Sequence, residues 1–118
     1  MKVFLAIFIG GGLGSMLRYA FGLGFQSLTK LPLATFLSNI LACLVLALCL
    51  KFFPKNSSQY AFAVIGFCGG LSTFSTFSFE TIQLIQNGQT LWAVLNVLVS
   101  VLTGGLVIFL LINDLKIN

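Results

Sequence analysis

The sequence predicts an all-α membrane protein with four transmembrane helices, and three observations support this fold class. Of the 118 residues, 58% are hydrophobic and only 7% are charged, against about 25% charged residues in an ordinary soluble domain. Four successive intervals contain no charged residue: 3–17, 31–50, 56–79 and 81–113. A spanning helix needs roughly 20 mostly apolar residues, so these intervals provide four spans joined by short loops. We therefore predict one domain, residues 1–118, formed by a single four-helix transmembrane unit.

The first predicted span begins at about Val3 and ends at about Leu17, or continues to Phe25. It is rich in glycine, and Gly10 and Gly14 form a G-x-x-x-G step, a spacing that lets two helix backbones approach closely in lipid. The apolar start of the chain resembles a signal peptide, but no small-residue cleavage site follows it and the rest of the chain is equally apolar. We interpret this segment as a span.

The other three spans are marked by charges, prolines and turn residues. The second is predicted from Leu33 to Phe53, entered through a proline and closed by the run Lys-Phe-Phe-Pro-Lys. The third is predicted from about Tyr60 to Ile85 and the fourth from about Leu91 to Ile112, with Asn87-Gly88 as the tight link between them.

The basic residues at the span ends predict a weakly specified topology. They are distributed four to two between the sides of the membrane, with Lys2, Lys51, Lys55 and Lys116 on one side and Arg18 and Lys30 on the other. Because positive residues favour the cytoplasmic side, the chain leans towards having both termini inside. The margin is small enough to permit insertion in both orientations.

The third span contains a glycine pair, Gly69-Gly70, close to its middle. A helix break there would free backbone carbonyls, which a membrane tolerates only where the backbone is buried in protein or lines a cavity. Such carbonyl oxygens suit a hard cation such as Na⁺. The alternative is close helix packing, since Gly66 and Gly70 form another G-x-x-x-G step.

Hydroxyl and phenylalanine side chains alternate after the glycine pair. Phe74 and Phe77 are one turn apart and so lie on roughly the same helix face. One interpretation is aromatic packing in the core. The other is an anion path, because the positive edges of aromatic rings can meet an anion that has lost part of its water while Ser75 and Thr76 donate hydrogen bonds.

Three further polar residues lie within or near the spans. Asn39, about two turns into the second span, either offers its two N–H donors to a path or hydrogen-bonds to a neighbouring helix. Arg18 is expected to extend from the end of the first span towards the membrane surface. Glu80 has no obvious partner and is a candidate to cap or gate a path, although a structural role is open for both charges.

The composition also excludes several classes of function. The chain has no histidine and only two carboxylates, so it cannot assemble the nucleophile and base or the metal-ligand set of an enzyme. The three cysteines lie in apolar runs without the spacings of zinc or redox sites, and we interpret them as small packing residues. The net charge of +4 reflects topology, and no nucleic-acid-binding surface is expected.

Three motifs resemble those of the Fluc (CrcB) family, the fluoride channels of microbial membranes. Residues 11–19, GGLGSMLRY, resemble the first-span motif of the family. Residues 35–39, TFLSN, resemble its second-span pattern G-T-x-x-x-N, with Ala34 in place of the glycine. Residues 66–80 are similar over their whole length to the signature G-x-C-G-G-x-[ST]-T-F-S-T-F-S-x-E. The resemblance covers all four spans, and the third motif is highly specific.

The resemblance implies a fluoride channel of the cell (plasma) membrane that exports fluoride passively and relieves its toxicity. It implies a dual-topology dimer of two antiparallel four-helix subunits, surrounded by lipid, with two narrow pores between them. The implied ion pathway residues of this chain are Asn39, Phe74, Ser75, Thr76 and Phe77. Backbone carbonyls of Gly69 and Ser72 from both subunits are implied to hold a central Na⁺ that is structural and not transported, which favours the break over the packing interpretation.

One departure from the family pattern concerns the fourth span. Counted from Trp92, the positions of the family's Ser/Thr track hold Gly104 and Ile108, while Ser100 and Thr103 lie nearby. One pore is therefore expected to lack part of its lining. Because family members also occur as heteromeric pairs, both a homodimer and a heterodimer with a paralogue stay open.

Two other functions are compatible with four spans. A small multidrug-type transporter couples export to a carboxylate in its first span, but the first span here has no Asp or Glu. A noncatalytic membrane assembly subunit explains the glycine steps but not the alternating hydroxyl and phenylalanine residues or the glycine pair.

Overall fold

The computed structural model describes residues 1–25 and 31–114. Within these residues it contains four helical segments long and apolar enough to cross a membrane: Lys2–Phe25, Leu33–Phe52, Ser58–Gln86 and Thr90–Asn113. The prediction of an all-α membrane protein with four spans is confirmed. Two basic residues used to predict the topology, Lys30 and Lys116, lie outside the described residues.

The first two helices follow the sequence signals closely. Helix α1, Lys2–Phe25, extends to the later of its two predicted ends. Helix α2, Leu33–Phe52, begins at the predicted residue. Phe53 has extended backbone torsion angles (φ −114°, ψ 123°), because a residue that precedes a proline is sterically disfavoured in the helical region.

The third span consists of two helices separated by two extended residues. Helix α3, residues 58–71, contains a first turn Ser58–Tyr60, a π-helical segment Ala61–Cys68 and a last turn Gly69–Leu71. Helix α4 is Phe74–Gln86. Between them Ser72 (φ −77°, ψ 153°) and Thr73 (φ −151°, ψ 119°) are extended.

The extended residues follow the glycine pair instead of coinciding with it, since Gly69 is helical (φ −64°, ψ −35°). The physical reason is that Ser72 and Thr73 carry side chains that bond to the two flanking helix ends. The Cys68 carbonyl keeps its helical bond from the Ser72 amide at 2.9 Å and gains a second donor. Ser72 Oγ donates to the Cys68 carbonyl oxygen at 2.8 Å. Thr73 Oγ1 accepts from the Thr76 amide at 3.2 Å and caps α4. A glycine has no side chain that could do either.

A tight turn joins α4 to α5, Thr90–Asp114. Gly88 lies in the left-handed region (φ 73°), its amide donates to the Ile85 carbonyl, and the Gln89 amide donates to the Leu84 carbonyl. This pair of bonds is the Schellman motif, which requires a residue without a Cβ penalty at the glycine position.

Helices α1 and α3 pack backbone against backbone through their two G-x-x-x-G steps. A Cβ atom added to Gly14 would lie 2.8 Å from the Leu71 amide nitrogen, and one added to Gly66 would lie 2.7 Å from the Ile7 carbonyl oxygen. Gly10 and Gly70 are equally close to the opposite backbone. Glycine is therefore required at all four positions for this approach, and the close-packing role of the glycine steps is present in the structure.

Helix α2 lies between this pair and α5. Its buried side chains are small: Thr35, Ser38, Ala42, Ala47 and Cys49. Most large apolar side chains on α5 are exposed in the single chain, as expected for a helix that faces lipid or a second subunit. Cys43, Cys49 and Cys68 are free thiols.

Candidate ion pathway

Asn39 connects α2 to the two extended residues of the third span. Its Oδ1 accepts a hydrogen bond from the Thr73 amide at 2.8 Å, and its Nδ2 donates to the Thr73 carbonyl oxygen at 3.4 Å. A side chain of one helix thus satisfies the Thr73 amide, which the interruption leaves without a helical partner. Since the amide group has two N–H donors, one remains for another acceptor.

Arg18 and Ser15 on α1 contact the carbonyl that precedes the interruption. Arg18 Nε donates to the Gly70 carbonyl oxygen at 3.0 Å, and Ser15 Oγ lies 3.5 Å from the same atom. Of the two roles left open for Arg18, this bond supports the structural one, since Arg18 is half-buried within α1. A positive charge is thereby held next to the interruption.

A cavity of about 310 Å³ adjoins the interruption and collects several of the predicted residues. Its lining residues come from α2, the interruption, α4 and α5: Asn39, Cys43, Ser72, Thr73, Phe74, Phe77, Ser100 and Val101. The rings of Phe74 and Phe77 are 6.3 Å apart between centroids and inclined by 40°. The cavity therefore combines an amide, hydroxyl groups and two aromatic rings.

The other two predicted hydroxyl residues lie outside this cavity. Ser75 is exposed in the single chain, and its Oγ is 3.3 Å from Thr73 Oγ1. Thr76 accepts a hydrogen bond from Thr73 Oγ1 at 3.2 Å. Its side chain lines a second cavity, of about 480 Å³, on the α1 side of α4. The hydroxyl residues form a connected group around the first turn of α4.

Glu80 lies in the wall of this second cavity together with Arg18, Thr35 and Thr76. Thr35 Oγ1 donates to Glu80 Oε1 at 2.9 Å, so the expectation of no evident partner for Glu80 was wrong. The partner is one helix away and 45 residues distant in sequence, which is why local spacing does not indicate it. Glu80 Oε2 is buried without a hydrogen-bond partner in the described part of the chain.

Ser100 lines this cavity, although from the sequence it was expected only to lie near the fourth-span track. Its Oγ is buried and has no hydrogen-bond partner among residues 1–25 and 31–114, and the residue faces the cavity shared by Asn39 and the two phenylalanines. Gly104, one turn later, packs against α2, since a Cβ atom there would lie 3.2 Å from Cys43 Sγ. Ser100 lies four residues before Gly104 and therefore on the same face of α5. This spacing is the sequence signal that could have identified Ser100.

A metal ion held by charged side chains is not supported. Within the described residues there is no group of three or more His, Cys, Asp or Glu that could hold one. A cation would need neutral oxygens, and Gly69 is exposed at the chain surface with open space beside it.

The fold and this cavity define the class of the protein as a multi-pass helical membrane protein with polar and aromatic residues lining a cavity beside its third span. Residues 5–112 match the family described as CrcB-like protein, Camphor Resistance (CrcB). The chain belongs to this family, as the motif resemblance indicated.

Several relatives are similar over nearly the whole chain. One is the fluoride-specific ion channel FluC of Serratia proteamaculans (strain 568), 41% identical over 112 residues that cover 91% of this chain and 87% of the relative. The fluoride-specific ion channel FluC 1 of Yersinia pestis is 39% identical and covers 93% of both chains. The fluoride-specific ion channel FluC of Escherichia fergusonii is 39% identical over 107 residues, 86% of this chain and 84% of the relative.

Proposed function

We propose that this chain is a fluoride channel that lets fluoride leave the cell passively. The observation that carries the proposal is the cavity lined by Asn39, Phe74 and Phe77, in a chain 41% identical to a relative named as a fluoride-specific ion channel. Membership of the same family supports the expectation that the chain is a channel and not an enzyme.

The lining of the cavity suits a small anion. Aromatic ring edges carry partial positive charge, and the Asn39 amide and the Ser100 hydroxyl are neutral hydrogen-bond donors. Phe74 is the first residue of α4, so the positive end of that helix dipole is directed at the same region. Neutral donors and partial charges replace the water of the anion without binding it as tightly as a full positive charge would.

We also propose that two chains assemble as an antiparallel dimer with two pores. Phe74 is 81% exposed in the single chain, and Gly69 and Ser75 are exposed beside it. Exposed polar backbone and hydroxyl groups in the middle of a span are costly in lipid. A second copy against this face would cover them and give both copies the same contact, as two-fold symmetric dimers do.

A structural Na⁺ at the dimer axis is part of this proposal. Its ligands would be the Gly69 and Ser72 carbonyls of both chains, neutral oxygens of the kind that hard cations prefer. We expect an experimental structure of the dimer to contain cation density at this point, with oxygen ligands from both chains. An unbroken helix through residues 66–76, or an axis without density at high resolution, would contradict the cation.

Whether the partner is an identical chain is tested by reconstitution. The basic residues are distributed four to two, a bias weak enough for one chain to insert in both orientations, and we favour the homodimer on this ground. We expect liposomes containing only this purified chain to release fluoride at a rate far above empty liposomes. A folded but silent protein that becomes active on co-expression of a second four-span chain would instead identify a heterodimer.

The same reconstitution tests the function itself. Fluoride efflux is followed with a fluoride electrode, and a chloride-loaded control measures anion selectivity. Absence of fluoride efflux both alone and with candidate partner chains would overturn the channel proposal.

A further inference from the structure

Two polar side chains outside the cavity connect α4 to α5 within the third and fourth spans. Asn96 Nδ2 donates a hydrogen bond to Thr81 Oγ1 at 3.0 Å. Thr81 Oγ1 in turn donates to the Phe77 carbonyl oxygen at 2.8 Å. An amide, a hydroxyl and a backbone carbonyl thus form one continuous relay that ends on the residue whose ring lines the cavity.

The relay restrains the backbone of Phe77 from a neighbouring helix. Inside a helix, a threonine hydroxyl that bonds to the carbonyl four residues earlier also bends the helix slightly. Because hydrogen bonds in series polarise one another, the bond from Asn96 strengthens the bond that Thr81 makes. The position of α5 therefore influences the turn of α4 that carries Phe77.

Stability alone is a weak reason to have this pair in a membrane. Interhelical hydrogen bonds between polar side chains stabilise membrane proteins only modestly. The same polar groups also find hydrogen-bond partners when the protein is unfolded in the membrane. Neither Asn96 nor Thr81 lines the cavity of Asn39, Phe74 and Phe77. Among the described residues, the hydrogen bonds of this pair reach that cavity through the Phe77 carbonyl.

We propose that Asn96 and Thr81 are positioning residues, which hold the Phe77 ring at the wall of the ion path through the Phe77 carbonyl. The inference rests on the proposed function, since it assigns a role relative to that path. In this proposal, Phe77 faces the ion, and Thr81 and Asn96 lie one layer behind Phe77.

The test compares variants that break the relay with variants that keep it. Thr81→Val removes the hydroxyl at nearly constant volume, Asn96→Leu removes the amide, and Thr81→Ser keeps the hydroxyl. We expect fluoride efflux from liposomes to fall about fivefold in the first two, a size typical of losing one interhelical hydrogen bond, and to stay near wild type in Thr81→Ser. The double variant should lose no more than either single one, because both substitutions break the same relay.

Matched controls make the same chemical changes elsewhere. Thr90→Val and Asn113→Leu alter exposed residues of α5 whose side chains have no hydrogen-bond partner in the described part of the chain, and we expect wild-type efflux from both. Size-exclusion profiles and thermal stability are measured for every variant. If Asn96→Leu does not purify as a single species, Asn96→Ser replaces it, because its short hydroxyl stops before Thr81.

The outcomes distinguish this inference from the proposed function. A wild-type protein without fluoride efflux would mean that the channel proposal is wrong. A conducting wild type with unchanged efflux in Thr81→Val and Asn96→Leu would overturn the positioning role alone. Additive losses in the double variant, or a Thr81→Ser variant as slow as Thr81→Val, would also overturn it, since both results indicate general structural damage.

Discussion

Replacing Phe77 by isoleucine is expected to slow fluoride efflux by about tenfold or more, and Phe74→Ile should act in the same direction. Isoleucine keeps apolar bulk in the cavity but has no ring and hence no positive edge to face an anion. Loss of about 1.4 kcal/mol at the highest barrier corresponds to a tenfold slower rate. The measurement is fluoride efflux from liposomes at equal protein density.

Phe4→Ile is the matched control for this substitution. Phe4 on α1 is 79% exposed, close to the 81% of Phe74, and it lines neither cavity of the candidate pathway. Its replacement should leave efflux unchanged. If both cavity variants also conduct at the wild-type rate, the two rings serve only packing, which was the other interpretation open from the sequence.

Asn39→Asp is expected to reduce fluoride efflux roughly a hundredfold at neutral pH, at least as much as Phe77→Ile. The loss of the N–H donors and the added negative charge should each slow efflux about tenfold. An ionised carboxylate has no N–H donor, and its charge repels an approaching anion. It nevertheless keeps an oxygen that can accept from the Thr73 amide, the shorter of the two bonds that Asn39 makes to Thr73. The variant therefore removes the donors and adds charge while leaving the main structural bond possible.

This property makes the substitution diagnostic. A purely structural Asn39 predicts a folded variant with normal efflux, whereas a pathway role predicts a folded variant that is nearly silent. Asn113→Asp adds the same charge to an exposed position on α5 and should conduct normally. Normal efflux in Asn39→Asp would restrict Asn39 to holding the interruption of the third span.

The spans were predictable because their ends are marked locally. The run around Pro54 ends α2, and Asn87-Gly88 ends α4, so the predicted and observed ends of these two helices differ by one residue each. The close packing of the Gly10 and Gly14 step was also predictable from its four-residue spacing, whereas the Gly66 and Gly70 step was open to both a packing and a break interpretation.

The partners of the polar residues were not predictable because they depend on the packing of separate helices. Asn39 bonds to Thr73, 34 residues later, and Thr35 bonds to Glu80. The position of the interruption has the same origin. Gly69-Gly70 indicates where a helix is weak, but the extended conformation occurs at Ser72 and Thr73, where the Thr73 side chain caps α4 and Asn39 accepts from the Thr73 amide.

The glycine contact between α1 and α3 has a consequence for motion. Side chains can adopt new rotamers when helices slide, but a contact made of backbone atoms has no rotamers to change. Helices α1 and α3 should therefore move together as one rigid body. Where Gly104 of α5 meets α2, its neighbours are the side chains of Cys43 and Ile40, and such a contact can repack. Conformational fluctuation in this chain is thus expected to be concentrated in α4 and α5, which carry Phe77 and Ser100, while the α1–α3 pair provides a fixed frame.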